Sequence, residues 1–162
     1  MSGVIPDSLA ATLEAVEAVC AEFDSHGEFR PAGPGRWICD VGFGWESQIQ
    51  HVGFVLDTDA PLLAVYVTLG LPGAERHTDS LAKAVARANY GLLPGCFELD
   101  LESGETRFRS VLFLPSEEVG THEVAQLLAN ALVIAKTYVP AFERIVRSGA
   151  DPVEAVDEVE SD

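Results

Sequence analysis

From Thr121 to Ser148 the apolar side chains of Val124, Leu128, Ala131, Ala135, Tyr138, Phe142 and Ile145 recur at alternating steps of four and three. That spacing is one face of an α-helix and predicts the longest helix of the chain. A helix draws most of its stability from packing such a face, so the rest of the chain has to supply an apolar layer to receive it. Pro140 lies inside the run, where its ring removes one donor and clashes with the carbonyl of Lys136. A kink or a break into two helices is expected there. Gly149 ends the run as a C′ residue. Gln126, Asn130 and Lys136 interrupt the stretch between Val124 and Val139, so nothing reaches the ~18 uninterrupted apolar residues of a membrane span.

The receiving layer reads as a sheet. Trp37, Cys39, Val41 and Phe43 alternate with Ile38, Asp40 and Gly42, and residues 47–56 form a second strand. After the turn residues Asp57, Thr58, Asp59 and Pro61, the segment LLAVYVTLG is rich in branched and aromatic residues, the composition of a strand buried on both faces. Phe97, Leu99 and Leu101 alternate with Glu98 and Asp100, a Gly-containing turn follows, and TRFRSVLFL completes a β-hairpin in which Arg107 and Arg109 face the two acids. Two helices complete the set. One carries Leu9, Leu13, Val16, Cys20 and Phe23 on one face, with Asp7 or Ser8 as cap. The other carries Leu81, Val85, Ala88 and Leu92, capped by Thr78 or Asp79 and stopped by Gly91 and Pro94. GEFRPAGPGR, rich in Gly and Pro and without periodicity, reads as a loop. The fold class is therefore α+β: an antiparallel sheet of about five strands, with elements in the order α-β-β-β-α-β-β-α. Residues 1–150 form a single domain, and 151–162 an acidic C-terminal tail, a short helix or disordered, with six acidic residues and no basic one.

The chain holds ten Lys and Arg against 26 Asp and Glu, a formal charge of −16. Duplex binding needs cations to neutralise phosphates, and anionic membranes need the same, so neither nucleic acid nor membrane is an expected partner. Cys20, Cys39 and Cys96 are odd in number and widely spaced, which fits reduced thiols better than a disulfide framework or a metal knuckle. The N-terminal stretch lacks the basic region and continuous apolar core of a secretory signal. A cytoplasmic setting is expected.

Catalytic and cofactor sites are not expected. No two of His26, His51, His77 and His122 stand at the spacing that places both on one helix face for a metal. His51 near Cys39 makes a metal or nucleophile cluster conceivable in one strand register, and Glu98 with Asp100 imitates a carboxylate pair, but the alternation puts the two acids on the wet side of a hairpin. GPGRW and GFGW read as turns, since neither follows a strand and opens a helix as a phosphate cradle must.

Three stretches resemble the YbjN-like proteins: ARANYGLLPGCFELDLESGETRFRSVLFLP, TYVPAFERIV and GADPVEAV. Asn89, Gly95, Phe97, Asp100, Gly104 and Phe108 carry the likeness, which covers about Trp37 to Val156. The resemblance implies the fold of type III secretion chaperones, small acidic dimers that bind an extended or partly helical segment of a protein client and perform no chemistry. It also implies a stress or sensory-transduction regulator. On that basis Leu9, Leu13 and Val16 are expected to bind a protein client or peptide segment, with the loop 27–35 as tether; the alternative is that this helix is simply core. Leu81, Val85, Ala88, Phe97 and Leu99 are expected to form a homodimer interface, and the acidic surface to steer basic clients. A small hydrolase or metal-dependent enzyme, and an acidic nucleic-acid mimic, are the competing readings.

Overall fold

The structure, a computed structural model, describes residues 5–23, 25–41, 48–114 and 119–161. Ten regular elements follow in order: α1 (Ala10–Ala21), β1 (Arg30–Gly33), β2 (Arg36–Val41), β3 (Ile49–Asp57), β4 (Leu62–Leu69), α2 (Thr78–Asn89), β5 (Cys96–Leu99), β6 (Thr106–Phe113), α3 (Thr121–Ser148) and α4 (Pro152–Ser161). The strands form one antiparallel sheet in the order β1-β2-β3-β4-β6-β5. This is the expected α+β class, with one strand more than the sequence predicts and with the acidic tail in its helical form.

The added strand is β1, inside the segment read as a loop. All four of its residues are exposed, so it carries no apolar alternation and its pairing with β2 rests on backbone bonds at the sheet edge. The tail forms α4. Asp151 Oδ1 accepts the N–H groups of Val153 and Glu154 at 2.9 and 3.0 Å, with Pro152 in the first helical position. Helix α3 runs unbroken through Pro140. Gly149, at φ +65°, ends it as expected, its N–H bonded to the Ile145 carbonyl at 3.0 Å. By length and apolar content α3 is long enough to cross a membrane, but Val124, Leu128, Ala131, Ala135, Val139, Phe142 and Ile145 are all buried within the chain. The expected caps are not used: Asp7 and Ser8 lie in a 3₁₀ turn before α1, and Leu9 and His77 stand at the two N-cap positions without side-chain cap bonds.

Backbone contacts group the chain into two compact units. The first holds α1, β1, β2, β3 from His51, β4 through Tyr66, β6 from Ser110 and α3 through Asn130. Its core contains Val16, Val19, Cys20, Cys39, Val52, Phe54, Leu56, Leu63 and Val65, all at 1% exposure or less. The second holds β4 from Val67, α2, β5, β6 through Arg109, α3 from Ala131, and α4. Phe97 is its centre: the rings of Phe108, Tyr138 and Phe142 each lie 5.1 Å away in edge-to-face geometry. Such pairs add about 0.5–1.5 kcal/mol each beyond their area.

Candidate protein-binding surface

The residues that carry the family resemblance converge on the β5–β6 hairpin and the end of α2. Strand β5 is a sheet edge, and Phe97 pairs with Phe108 on β6. The Asn89 amide closes that edge. Its Nδ2 donates to the Phe97 carbonyl at 2.9 Å, and its Oδ1 accepts the Phe97 N–H at 2.7 Å. One side chain thus does for Phe97 what a neighbouring strand does elsewhere. Gly95 lies against the Arg109 carbonyl and the Phe108 ring, where a Cβ would sit 2.7 Å from a ring carbon. In the turn, Asp100 Oδ1 accepts the Glu102 N–H at 2.8 Å, and the Asp100 carbonyl accepts the Gly104 N–H at 2.8 Å. The Glu102 amide, then Ser103, holds the Asp100 carboxyl below its usual range. Gly104 combines φ +76° with an approach that would put a Cβ 2.5 Å from the Ala74 carbonyl carbon, so only glycine fits.

Glu98 faces Arg107 directly and bonds it at 2.8 Å, and its other oxygen meets Arg109 at 3.0 Å. Asp100 is occupied by the turn amides, and Glu105, 3.9 Å from Arg107, takes its place in the charge ladder. This consumes the acid pair without leaving a catalytic carboxylate dyad at that position.

Helix α4 packs on α2. Arg87 of α2 meets Asp157 at 2.5 Å and Glu160 at 2.8 Å, Tyr138 of α3 donates to Glu160 at 2.8 Å, and Arg144 pairs with Glu158. Burial, then the bond to Glu160, raises the Tyr138 hydroxyl to about 12, so it stays a donor. Only Ala155 and Val156 of α4 are buried. A buried valine is worth roughly 1.5–3 kcal/mol, and exposed ion pairs contribute little, so α4 is lightly held.

The sequence-derived sites fall as follows. Val16 is fully buried and Leu9 nearly so, while Leu13 is half-buried. The face expected to take a client is largely occupied by the chain's own core, because the spacing that marks a binding face equally marks a packed one. Leu81, Ala88 and Phe97 of the expected dimer face are at 0, 1 and 2% exposure and have no surface to offer a second copy. Val85 and Leu99 are half-buried. His51 and Cys39 do not meet: Cys39 is buried, whereas His51 lies exposed with its Nε2 2.9 Å from Asp40, which Arg30 also binds at 2.6 Å. The bond to Arg30, ahead of that to His51, lowers the Asp40 carboxyl. Cys20 and Cys39 hydrogen-bond as a buried pair, and that bond, followed by burial, pushes the Cys39 thiol far up. GPGRW forms the β1–β2 turn, while GFGW lies outside the described residues. Among the described residues no three His, Cys, Asp or Glu side chains are grouped to hold a metal ion.

The Asn89 clamp and the α4 contacts were not anticipated. The first has no periodic signature. The second had one: Asp151-Pro152-Val153-Glu154 is a capped helix start, with Val153, Val156 and Val159 at helical spacing after it.

No family model and no curated protein matches the chain. Among solved structures, a chain from the crystal structure of the ExsC–ExsE complex aligns with a TM-score of 0.53 and 12% identity, over 90% of this chain and 100% of that one. At that identity the likeness is one of fold, and the six-stranded antiparallel sheet with its four helices is a type III secretion chaperone-like α+β fold.

Proposed function

We propose that the chain is a non-enzymatic protein-binding module, chaperone-like or regulatory as the YbjN-like resemblance implies, and that it acts in the cytoplasm as a homodimer on a protein client. The observation that carries this reading is the fold likeness to a protein solved in the ExsC–ExsE complex. Tyr90, Leu93 and Leu101, at 85, 93 and 67% exposure, are large apolar side chains on either side of β5 in the chain and are open to a partner. The experiment is twofold. Light scattering at tens of micromolar is expected to give a dimer mass. Calorimetric titration against a panel of amphipathic peptides of varied charge is expected to find binders at micromolar affinity. A monomer that binds no peptide, or turnover of ester, phosphate or peptide substrates by the purified chain, overturns the reading.

A further inference from the structure

The net charge hides an uneven distribution. The unit that holds α2 carries eight of the ten Lys and Arg residues and fourteen of the acidic ones, and six of those fourteen lie in residues 151–162. Without that segment the unit is electrically neutral. Three donors line the surface that α4 covers: the guanidiniums of Arg87 and Arg144 and the hydroxyl of Tyr138. Each is matched to a carboxylate of α4. The apolar part of the match is small, namely Ala155 and Val156. The connection to α3 is short and turns at Gly149, with open space around its Cα.

We propose that the groove between α2 and the second half of α3 is a docking site for an acidic amphipathic helix of a partner protein, and that α4 is its in-chain occupant, displaced when the partner binds. The inference deepens the protein-binding reading and rests on it. It also reverses the expected charge of the client at this site: the groove offers donors, so the helix it takes is acidic. A tether of three residues holds α4 at an effective concentration of order millimolar. A partner's helix therefore has to bring more than α4 brings, through a wider apolar face than the two buried side chains of α4.

The test uses the full chain with α4 repelled rather than removed. The triple variant Asp157→Lys, Glu158→Lys, Glu160→Lys places cations against Arg87 and Arg144. A labelled synthetic peptide with the sequence of residues 151–162 is titrated against it and against the unaltered chain, read by NMR amide shifts. Binding to the triple variant is expected to be at least tenfold tighter than to the unaltered chain, with shifts centred on α2 and residues 138–148. Adding Arg87→Glu and Arg144→Glu to the triple variant re-docks α4 and is expected to abolish peptide binding. Equal binding to both chains, no binding to either, or shifts centred elsewhere overturns the proposal. So does loss of hydrogen-exchange protection throughout β6 in the triple variant, because α4 is then part of the core. If peptides of the panel bind while this titration fails, the groove assignment alone is wrong. If this titration succeeds while no panel peptide binds the unaltered chain, the client reading fails and the groove serves α4 only.

Discussion

Helices α1 and α4 are both short and acidic, and both lie beside glycine-containing connections, yet they are held by opposite means. Helix α1 buries Ala15, Val16, Val19 and Cys20 to 3% exposure or less and leaves Glu14 and Glu17, with Glu22 just past its end, in solvent. Helix α4 buries two small side chains and pins three acids onto Arg87, Arg144 and Tyr138. From the sequence, α1 reads either as core or as a client-binding arm, and the tail as a short helix or a disordered end. In the structure α1 buries its apolar face, and the tail is a helix that buries two small side chains. Apolar periodicity reports that a face is covered but not how tightly; the size of the buried side chains and the sign of the residues opposite decide that.

The largest expected effect separates the two helices directly. Deleting residues 1–24 removes four fully packed side chains from the first unit, and the expected outcome is loss of cooperative folding in that unit, seen as lost near-UV circular dichroism and lost exchange protection in β2 and β3. A truncated chain that keeps β2 and β3 protected shows α1 to be an arm after all. Next in size is Phe97→Ala. The residue sits among Phe108, Tyr138 and Phe142, so a cost of about 3–5 kcal/mol in urea unfolding is expected, against roughly 1.5–3 kcal/mol for Val16→Ala in the first unit. Equal costs mean that the aromatic cluster adds nothing beyond an aliphatic core.

Asn89→Ala comes third. It leaves the N–H and carbonyl of a residue at 2% exposure without their partner, a penalty of about 1–3 kcal/mol. It also frees an edge strand, so concentration-dependent association by light scattering is expected to accompany the lower urea midpoint. Asn89→Asp keeps the acceptor and loses the donor, and should fall between the two. A midpoint unchanged in both variants removes the clamp from the account.

Much of the fold was legible because its elements bury regular patterns: β4 is buried on both faces as LLAVYVTLG implies, and α3 follows its four-and-three repeat to Ser148. Strand β1 was not legible because Arg30, Pro31, Ala32 and Gly33 are all exposed, leaving only backbone bonds to define it. The unbroken helix through Pro140 shows packing of Phe142 and Ile145 overriding a local breaker, with the proline itself on the exposed side. The binding surface was less legible than the fold. Leu81, Ala88 and Phe97 point to a dimer face only through being apolar, and that same property places them inside. Arg87 and Glu160 are 73 residues apart, and no local pattern links a lone arginine on one helix to an acid in a distant tail.

The smallest effect tests α4 itself against an anchor in the first unit. Glu158 of α4 and Asp57 at the end of β3 both have carboxyls held below their ordinary values, but for different reasons. For Glu158 the first cause is the hydrogen bond from Arg144, followed by that residue's charge; for Asp57 it is the backbone N–H of Ala60, with the Arg36 guanidinium at 3.2 Å and the Asp59 N–H adding to it. Both anchors therefore stabilise the folded chain above the ordinary carboxylate range, and both are lost as pH falls below about 4 through the lowered folded values. Acid alone cannot tell them apart. Salt at pH 7 can, because Glu158 rests on a guanidinium alone, whereas Asp57 keeps its bonds from the Asp59 and Ala60 N–H groups when the charge of Arg36 is screened. Raising ionic strength from about 0.05 to 0.5 M shortens the Debye length from roughly 14 to 4 Å and is expected to speed exchange of the α4 amides severalfold, while the amides of Asp59 and Ala60 keep their rates. If both sets respond alike, α4 is held by its apolar contacts, the contrast with α1 is one of degree only, and the charge match beneath α4 loses its meaning.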